Sequence, residues 1–184
     1  MKLERNAAVA GFLIGLGVII NTLAANPTIG AILFSFGLLT IIELGLPLYT
    51  GQIGFIAEKQ AADLVKIFCF NLFGIAFIIL IKVLTDVDFT TLLVQKASMK
   101  FDKSMFRMFV DGFLCGTLIH FAVKCKKPLL TVMSITIFIL IGAEHCIADM
   151  AYIVCVPSLL NYLKFLMVVM GNSFGAIFLE NMLK

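Results

Sequence analysis

The chain has 184 residues, of which 61% are hydrophobic and 14% are charged, and its formal net charge is +3. Soluble domains carry about 25% charged residues, so this composition excludes a soluble globular protein. The few positive charges are scattered without a basic run, which argues against nucleic-acid binding.

Apolar segments follow one another along the whole chain. A membrane-spanning helix needs about 20 apolar residues, and the candidate spans are 7–25, 28–50, 62–84, 104–123, 128–154 and 161–181. The first is long enough to span and is followed at once by another, so we interpret it as part of the fold and not as a cleavable signal peptide. The sequence predicts one all-α transmembrane domain over residues 1–184, with a single sizeable soluble loop at 86–103.

The second span begins at Asn26, Pro27 and Thr28, which superficially resemble the Asn-Pro-Ala box of water channels. The corresponding position later in the chain, around Pro128, lacks the second Asn. Proline is common in the first turn of a helix. We therefore interpret both prolines as helix starts and reject a water-channel box.

The sequence matches itself at a constant offset of 101 residues. The matching pairs are Gly11 and Gly112, Pro27 and Pro128, Glu43 and Glu144, Asn71 and Asn172, and Gly74 and Gly175. This pattern predicts two three-helix repeats, residues 7–84 and 104–181. Because three is odd, the second repeat must enter the membrane from the opposite side, which predicts an aquaporin-like inverted repeat.

The second and fifth spans contain residues that interrupt a transmembrane helix. Gly45 and Pro47 lie within the second span, and the stretch around His145 occupies the matching part of the fifth. Interrupted helices expose backbone N–H groups and helix ends near the bilayer midplane, where they can bind a small polar solute. We therefore expect the solute pathway at these two breaks.

Three ionisable residues, Glu144, His145 and Asp149, lie in the middle of the fifth span. A charge at the centre of a bilayer costs at least about 2.5–3.5 kcal/mol, so such groups usually face a cavity or one another. The group therefore predicts a transport pathway, although a His that merely bonds a neighbouring helix remains the alternative. His120, which has no acidic neighbour within one turn, is expected to be structural.

Neither a metal site nor an enzyme is expected. The five cysteines form no CxxC pair and are interpreted as packing residues; they are Cys69, Cys115, Cys125, Cys146 and Cys155. No nucleophile with an aligned base and no cofactor motif is recognisable, so we expect no cofactor.

Basic residues suggest the orientation in the membrane. The turn at residues 21–30 has no charge, whereas Lys124, Lys126 and Lys127 surround Cys125. Positive charge favours the cytoplasmic side. We expect a multi-pass protein of the cell's inner or plasma membrane with both termini in the cytoplasm.

Together these motifs resemble the formate/nitrite transporter family over nearly the whole chain. The most specific are Glu144 and His145 followed by Ala148 and Met150, and Leu48-Tyr-Thr-Gly51, which is similar to the Leu-Phe-Thr loop of the family. Gly171-Asn172 and the run Gly112-Phe-Leu-Cys115 add to the resemblance.

The resemblance implies a channel or transporter for small monovalent anions of the formate, nitrite and hydrosulfide type, linked to protons and assembled as a homopentamer. It makes His145 the central pore histidine, Thr50 its partner, Asn172 a nearby hydrogen-bonding residue and Lys100 an attractor of anions. It also implies two apolar constrictions, which are Phe34 with Phe138, and Leu38 with Leu48.

Two residues depart from the family pattern. Asp149 and Gly116 stand where the family has Asn. An acid one turn from His145 could favour its charged form. These departures keep open a non-conducting structural or regulatory relative, and a neutral-solute pore for ammonia or hydrogen sulfide is a further alternative.

The expected mechanism follows from the cost of burying charge. A bare anion meets a large desolvation cost at an apolar constriction, while its neutral conjugate acid meets a small one. The hypothesis is that Lys100 and the helix ends attract the anion and that a proton supplied through His145 neutralises it. The sequence does not identify the solute.

Overall fold

The computed structural model describes residues 1–184 as a bundle of helices joined by short connections. The helices are α1 (Lys2–Leu23), α2 (Pro27–Glu43), α3 (Tyr49–Gln52), α4 (Ala61–Thr85), α5 (Val87–Phe101), α6 (Met105–Cys125), α7 (Pro128–Leu140), α8 (Cys146–Ile153) and α9 (Leu159–Met182). A 3₁₀ segment, Ile53–Glu58, follows α3. The helices α1, α4, α6 and α9 are long and apolar enough to cross a membrane, and α2 and α7 are shorter apolar helices.

The start of α2 is the helix start expected from the sequence. Asn26 Oδ1 accepts hydrogen bonds from the backbone N–H groups of Thr28 (2.9 Å) and Ile29 (3.1 Å), and Pro27 occupies the first turn. A side-chain acceptor at this position satisfies donors that have no partner within the helix. The prediction of a helix start in place of a water-channel box is confirmed.

Both α2 and α7 are followed by a glycine in the left-handed region of backbone conformation. Gly45 has φ +61° and Gly142 has φ +73°, a conformation that other residues adopt only with strain. The chain then runs outside regular helix as far as Leu48 in one case and His145 in the other. These two short stretches are called the first and second breaks below.

The breaks are related by an offset of 97 residues, not 101. The cause is that α2 has 17 residues and α7 has 13, so α7 is shorter by about one helical turn. Glu43 therefore ends α2, whereas Glu144 lies beyond the end of α7. The pairing of Glu43 with Glu144 at a constant offset is wrong, and the residue that corresponds to His145 is Leu48.

Glycines allow two helix pairs to pack at backbone contact. A Cβ atom on Gly11 of α1 would overlap the carbonyl group of Asn71 on α4, and one on Gly116 of α6 would overlap that of Asn172 on α9. Gly74 and Gly175 lie in the same two interfaces, against the carbonyl groups of Ala8 and Phe113. Small residues of this kind permit close helix approach in membranes.

The segment 86–103, predicted as a soluble loop, is mostly helical. Asp86 caps α5 by accepting a hydrogen bond from the N–H of Phe89 at 2.8 Å. Phe89, Leu93, Ala97 and Phe101 recur every four residues and are all buried, so α5 is amphipathic and packs its apolar face on the bundle.

Two lysines fix α5 to the transmembrane helices. Lys96 Nζ donates to the carbonyl of Asn21 at the end of α1 (2.7 Å), and buried Lys164 of α9 donates to the carbonyl of Phe101 (2.6 Å). A cation at the carboxyl end of a helix also interacts favourably with the helix dipole. As a result α5 is an integral part of the fold.

Candidate pore and its two chambers

Two cavities lie at the breaks, one lined by residues of the second break and the other by residues of the first. The first chamber has a volume of about 320 Å³ and includes Asn21, Phe34, Lys96, Lys100, Lys103, Phe138, Glu144, His145, Asp149 and Tyr152. The second chamber has a volume of about 460 Å³ and includes Leu38, Leu48, Gly51, Phe55, Glu58, Lys59, Lys124 and Lys126. Phe34 and Leu38, one turn apart on α2, belong to different chambers, so the chambers are separated by about one helical turn.

His145 and Thr50 meet between the two breaks. Thr50 Oγ1 on α3 lies 2.9 Å from His145 Nε2, and both side chains are buried. His145 Nδ1 accepts a hydrogen bond from the N–H of Ala148 at 3.1 Å and so caps α8. An imidazole that accepts at Nδ1 carries its proton on Nε2, so His145 donates to Thr50 and leaves the threonine hydroxyl hydrogen free for another acceptor.

Two asparagines hold the backbone of the breaks. Asn172 Nδ2 donates to the carbonyls of Gly112 (2.7 Å) and Glu144 (2.8 Å), and its Oδ1 accepts from the N–H of Cys146 (2.8 Å). These bonds satisfy backbone groups at the second break that regular helix does not satisfy.

Asn71 makes the equivalent set of bonds at the first break. Its Nδ2 donates to Ala7 O (2.7 Å) and Pro47 O (3.0 Å), and its Oδ1 accepts from Tyr49 N–H (2.8 Å). Both asparagines are fully buried. The two asparagines have the same role in the two halves of the chain, and they match at the offset of 101 residues. The breaks that they hold match at 97.

Two pairs of apolar side chains line the chambers. The rings of Phe34 and Phe138 meet edge to face with centroids 6.1 Å apart, and the Phe138 ring lies nearly parallel to the His145 imidazole at 6.2 Å. Leu38 and Leu48 are buried at the second chamber.

Lysines and carboxylates form a connected network at the first chamber. Lys100 Nζ contacts Glu144 and lies 3.1 Å from Asp149 Oδ1. Lys103 Nζ lies 2.5 Å from Glu144 Oε1 and 2.7 Å from Asp111 Oδ2. Burial lowers the pKa of Lys100, but the Asp149 and Glu144 carboxylates outweigh this effect and raise it above its ordinary value.

Sequence analysis identified Lys100, Glu144 and Asp149 but missed Lys103, Asp111 and Tyr152. The Lys100 ammonium lies 5.0 Å from the centroid of the Tyr152 ring, a cation–π contact. Lys96 and Lys100, four residues apart on α5, share one side of that helix. The four-residue spacing of these lysines could have indicated that both face the same site. It was overlooked because residues 86–103 were interpreted as a loop.

A second polar cluster lies away from the breaks. His120 Nε2 and Lys124 Nζ on α6 each lie 2.9 Å from Glu180 Oε2 on α9. His120 was expected to be structural because no acid lies near it in sequence; its acidic partner comes from another helix. The Phe55 ring packs on the imidazole at 4.8 Å, which connects this cluster to the 3₁₀ segment.

Comparison with known proteins finds a family and solved structures that are similar to this chain. A model of the formate/nitrite transporter family matches residues 1–184. A solved structure described as a pentameric formate channel with formate bound superposes with a TM-score of 0.80 at 20% identity, covering 99% of this chain and 94% of the other. A second, described as an FNT family ion channel, gives a TM-score of 0.79 at 21% identity, covering 96% and 86%. A search of curated protein sequences finds no match.

Proposed function

The chain belongs to the formate/nitrite transporter family, and from this premise we propose that it is an integral membrane channel or transporter for small monovalent anions of the formate, nitrite and hydrosulfide type. The family and the similar structures are channels and transporters, not enzymes. The observation that carries the proposal is the Thr50–His145 pair, buried between two chambers and closed in by apolar side chains.

We further propose the architecture that this pathway needs. α2 with α3 and α7 with α8 serve as two interrupted spans, which with α1, α4, α6 and α9 make six spans arranged as two inverted repeats. The equivalent bonds of Asn71 and Asn172 support this arrangement. With both termini in the cytoplasm, the second chamber faces the cytoplasm and the first chamber faces outward.

A homopentamer with one pore in each subunit is the proposed assembly. Several large apolar side chains on α4 and α9 are exposed on the single chain, including Phe73, Phe77, Phe174 and Phe178. Such surfaces pack against lipid or against neighbouring subunits.

The proposed route runs from the first chamber past Phe34 and Phe138 to Thr50 and His145, and then past Leu38 and Leu48. Lysines at the chambers attract the anion. Between the apolar pairs a charged solute would meet a large desolvation cost, while a neutral conjugate acid meets a small one. Transport is therefore linked to protons, and the free hydroxyl hydrogen of Thr50 is the donor available to the solute.

Uptake of formate, nitrite and hydrosulfide into proteoliposomes at pH 5 and pH 8 tests the proposal. We expect uptake of at least one solute that rises at acid pH and changes in selectivity or proton coupling in His145→Ala. Asn161→Ala, at the outer end of α9 and remote from the breaks, is the matched control. Absence of flux in a folded protein would contradict the proposal and favour a non-conducting relative.

A further inference from the structure

We propose that Lys96 of α5, and not Lys100, binds the anion in the first chamber. This inference rests on the proposed function and deepens it. It assigns the first contact of the anion to a residue that the family resemblance does not indicate, and it makes Lys100 a structural residue of the chamber wall.

The three lysines of the first chamber differ in how many of their donors are in use. An ammonium group has three N–H donors. Lys103 Nζ has three acceptors, which are the carbonyl of Gly142 at 2.7 Å, Asp111 Oδ2 at 2.7 Å and Glu144 Oε1 at 2.5 Å. Lys103 therefore has no donor left for a solute.

Lys100 is engaged in a similar way. Its Nζ contacts Glu144 and lies 3.1 Å from Asp149 Oδ1. The same ammonium lies 5.0 Å from the centroid of the Tyr152 ring. Hydrogen bonds between ionised partners are about twice as strong as those between neutral groups. An anion would have to displace a carboxylate of the chain from Lys100 before it could bind there.

Lys96 has donors to spare. It makes one hydrogen bond, from Nζ to the carbonyl of Asn21 at 2.7 Å, so two of its three N–H donors are free. Its side chain lines the first chamber and is partly buried. Lys96 lies four residues before Lys100, which is about 6 Å along α5. A solute can therefore bind Lys96 without breaking an ion pair.

The balance of charge singles out the same residue. The other four ionised side chains that line the chamber are two cations and two anions, namely Lys100, Lys103, Glu144 and Asp149. Asp111, which also bonds Lys103, faces the guanidinium of Arg107 at 3.6 Å. The positive charge of Lys96 is therefore the one that no carboxylate of the chain compensates, and it suits a single monovalent anion.

The surroundings of Lys96 favour a bound anion. Burial lowers the pKa of its ammonium group, and the positive charge of Lys100 lowers it further. An anion beside Lys96 would oppose both effects, because it stabilises the charged form of the lysine. The bound anion thus supplies the counter-charge that the chain does not provide.

The bond to Asn21 also gives Lys96 a structural role, because a cation at the carboxyl end of α1 interacts favourably with the helix dipole. Two substitutions separate this role from anion binding. Lys96→Gln removes the charge but keeps an N–H donor for the carbonyl of Asn21. Lys96→Arg keeps the charge.

The test is the concentration dependence of formate and nitrite entry into right-side-out and inside-out membrane vesicles from cells without other transporters for these anions. In Lys96→Gln the half-saturation concentration should rise about tenfold, the lower end of the effect of cleft charge on local ion concentration. The rise should occur only in the orientation that presents the first chamber, and the maximal rate should stay close to that of wild type.

Two further comparisons show whether the effect comes from charge at this position. Lys96→Arg should have a half-saturation concentration close to that of wild type. Added salt should raise this concentration more in wild type than in Lys96→Gln, because salt screens the charge that the variant lacks.

The matched control is Lys66→Gln, which makes the same substitution on α4 at a side chain that is 54% exposed and outside the chamber. It should leave the half-saturation concentration unchanged. Thermal midpoints and size-exclusion profiles verify that each variant is folded.

The outcomes separate the two proposals. A rise in Lys96→Gln for one orientation only, without a rise in Lys96→Arg, supports the inference. An unchanged value in Lys96→Gln, or an equal rise in both orientations, would overturn it and leave the anion pathway intact. Absence of entry of both anions in folded wild type would overturn the proposed function itself, and this inference with it.

Discussion

Thr50 Oγ1 and His145 Nε2 form a buried contact of 2.9 Å between residues 95 positions apart in the chain. The contact joins α3, which follows the first break, to His145, which ends the second. The Nδ1 atom of His145 already accepts a hydrogen bond from the N–H of Ala148. His145 therefore donates from Nε2, and Thr50 accepts. The two breaks therefore share one polar contact within an apolar core.

Thr50→Val, which removes the hydroxyl while keeping the shape, is expected to leave His145 Nε2–H without an acceptor. An unsatisfied buried donor costs about 1–3 kcal/mol, so the thermal midpoint should fall and uptake should fall by at least about fivefold. Thr50→Ser keeps the hydroxyl and should retain most uptake. Equal uptake by the Val and Ser variants would show that the hydroxyl does not contact the solute.

Asn172→Ala should destabilise the second break. It removes two donors from carbonyl oxygens and the acceptor of Cys146 N–H, and each buried group left unsatisfied costs about 1–3 kcal/mol. Urea unfolding in detergent measures the loss. The control is Asn161→Ala, which removes a partly buried bond to Val156 O and should cost about 1 kcal/mol or less; a similar loss in both variants would argue against a special role for Asn172.

Gly116→Ala is expected to separate α6 from α9, because the new Cβ would overlap the carbonyl group of Asn172. Overpacking of this kind typically costs about 1–3 kcal/mol. Leu114→Ala, on an exposed part of the same helix, is the control. Gly116→Asn should be worse than Gly116→Ala, so restoring the family residue at this single position should not improve the protein; higher thermal stability of the Asn variant would contradict the packing found here.

Phe34→Ala should widen the apolar closure of the first chamber. The ring of Phe34 contacts Phe138 edge to face, and its loss removes one of the two side chains that we propose as a constriction. We expect uptake of acetate relative to formate to increase. Phe36→Ala, two residues away with 54% of its surface exposed, should leave the ratio unchanged, and an equal change in both variants would assign the effect to general loosening of α2.

Asp86→Asn tests whether the charge of Asp86 at the start of α5 stabilises the fold. The measurement is the thermal midpoint of wild type and variant as a function of pH. The hydrogen bond from Lys82, together with the one from Phe89 N–H, holds the pKa of Asp86 below its ordinary value. A lowered pKa stabilises the fold at pH values above the unfolded pKa of about 3.9, and this stabilisation is lost as the pH falls through the lower, folded pKa.

Asn at position 86 keeps a capping oxygen but does not titrate. Wild type should therefore have the higher thermal midpoint at pH 7, and the difference should shrink as the pH falls below the unfolded pKa of about 3.9 and through the lower, folded pKa. A difference that is independent of pH would show that the charge of Asp86 does not contribute.

Features of the fold that depend on a few neighbouring residues could be predicted from the sequence. The start of α2 at Asn26 and Pro27 follows from a capping side chain and a fixed φ, both visible in three consecutive residues. The correspondence of Asn71 and Asn172 was also visible in the sequence, because identical residues recur there at a constant spacing. The family resemblance added the pairing of Thr50 with His145, which no local pattern indicates.

Features that depend on distant parts of the chain were missed. The charges of segment 86–103 concealed its four-residue apolar spacing, so α5 and the position of Lys96 on it were not predicted. The salt bridge between Lys103 and Glu144 and the contact between His120 and Glu180 join residues that are far apart in sequence. Glu43 was paired with Glu144 because a constant offset ignores a change in helix length.

The amphipathic helix α5 makes the two chambers unequal. Asn71 and Asn172 hold the two breaks in the same way, but only the first chamber is covered by a helix that brings Lys96 and Lys100 to it. A pathway with such unequal ends should conduct differently in the two directions. The segment that joins the halves of the chain would then be the source of rectification.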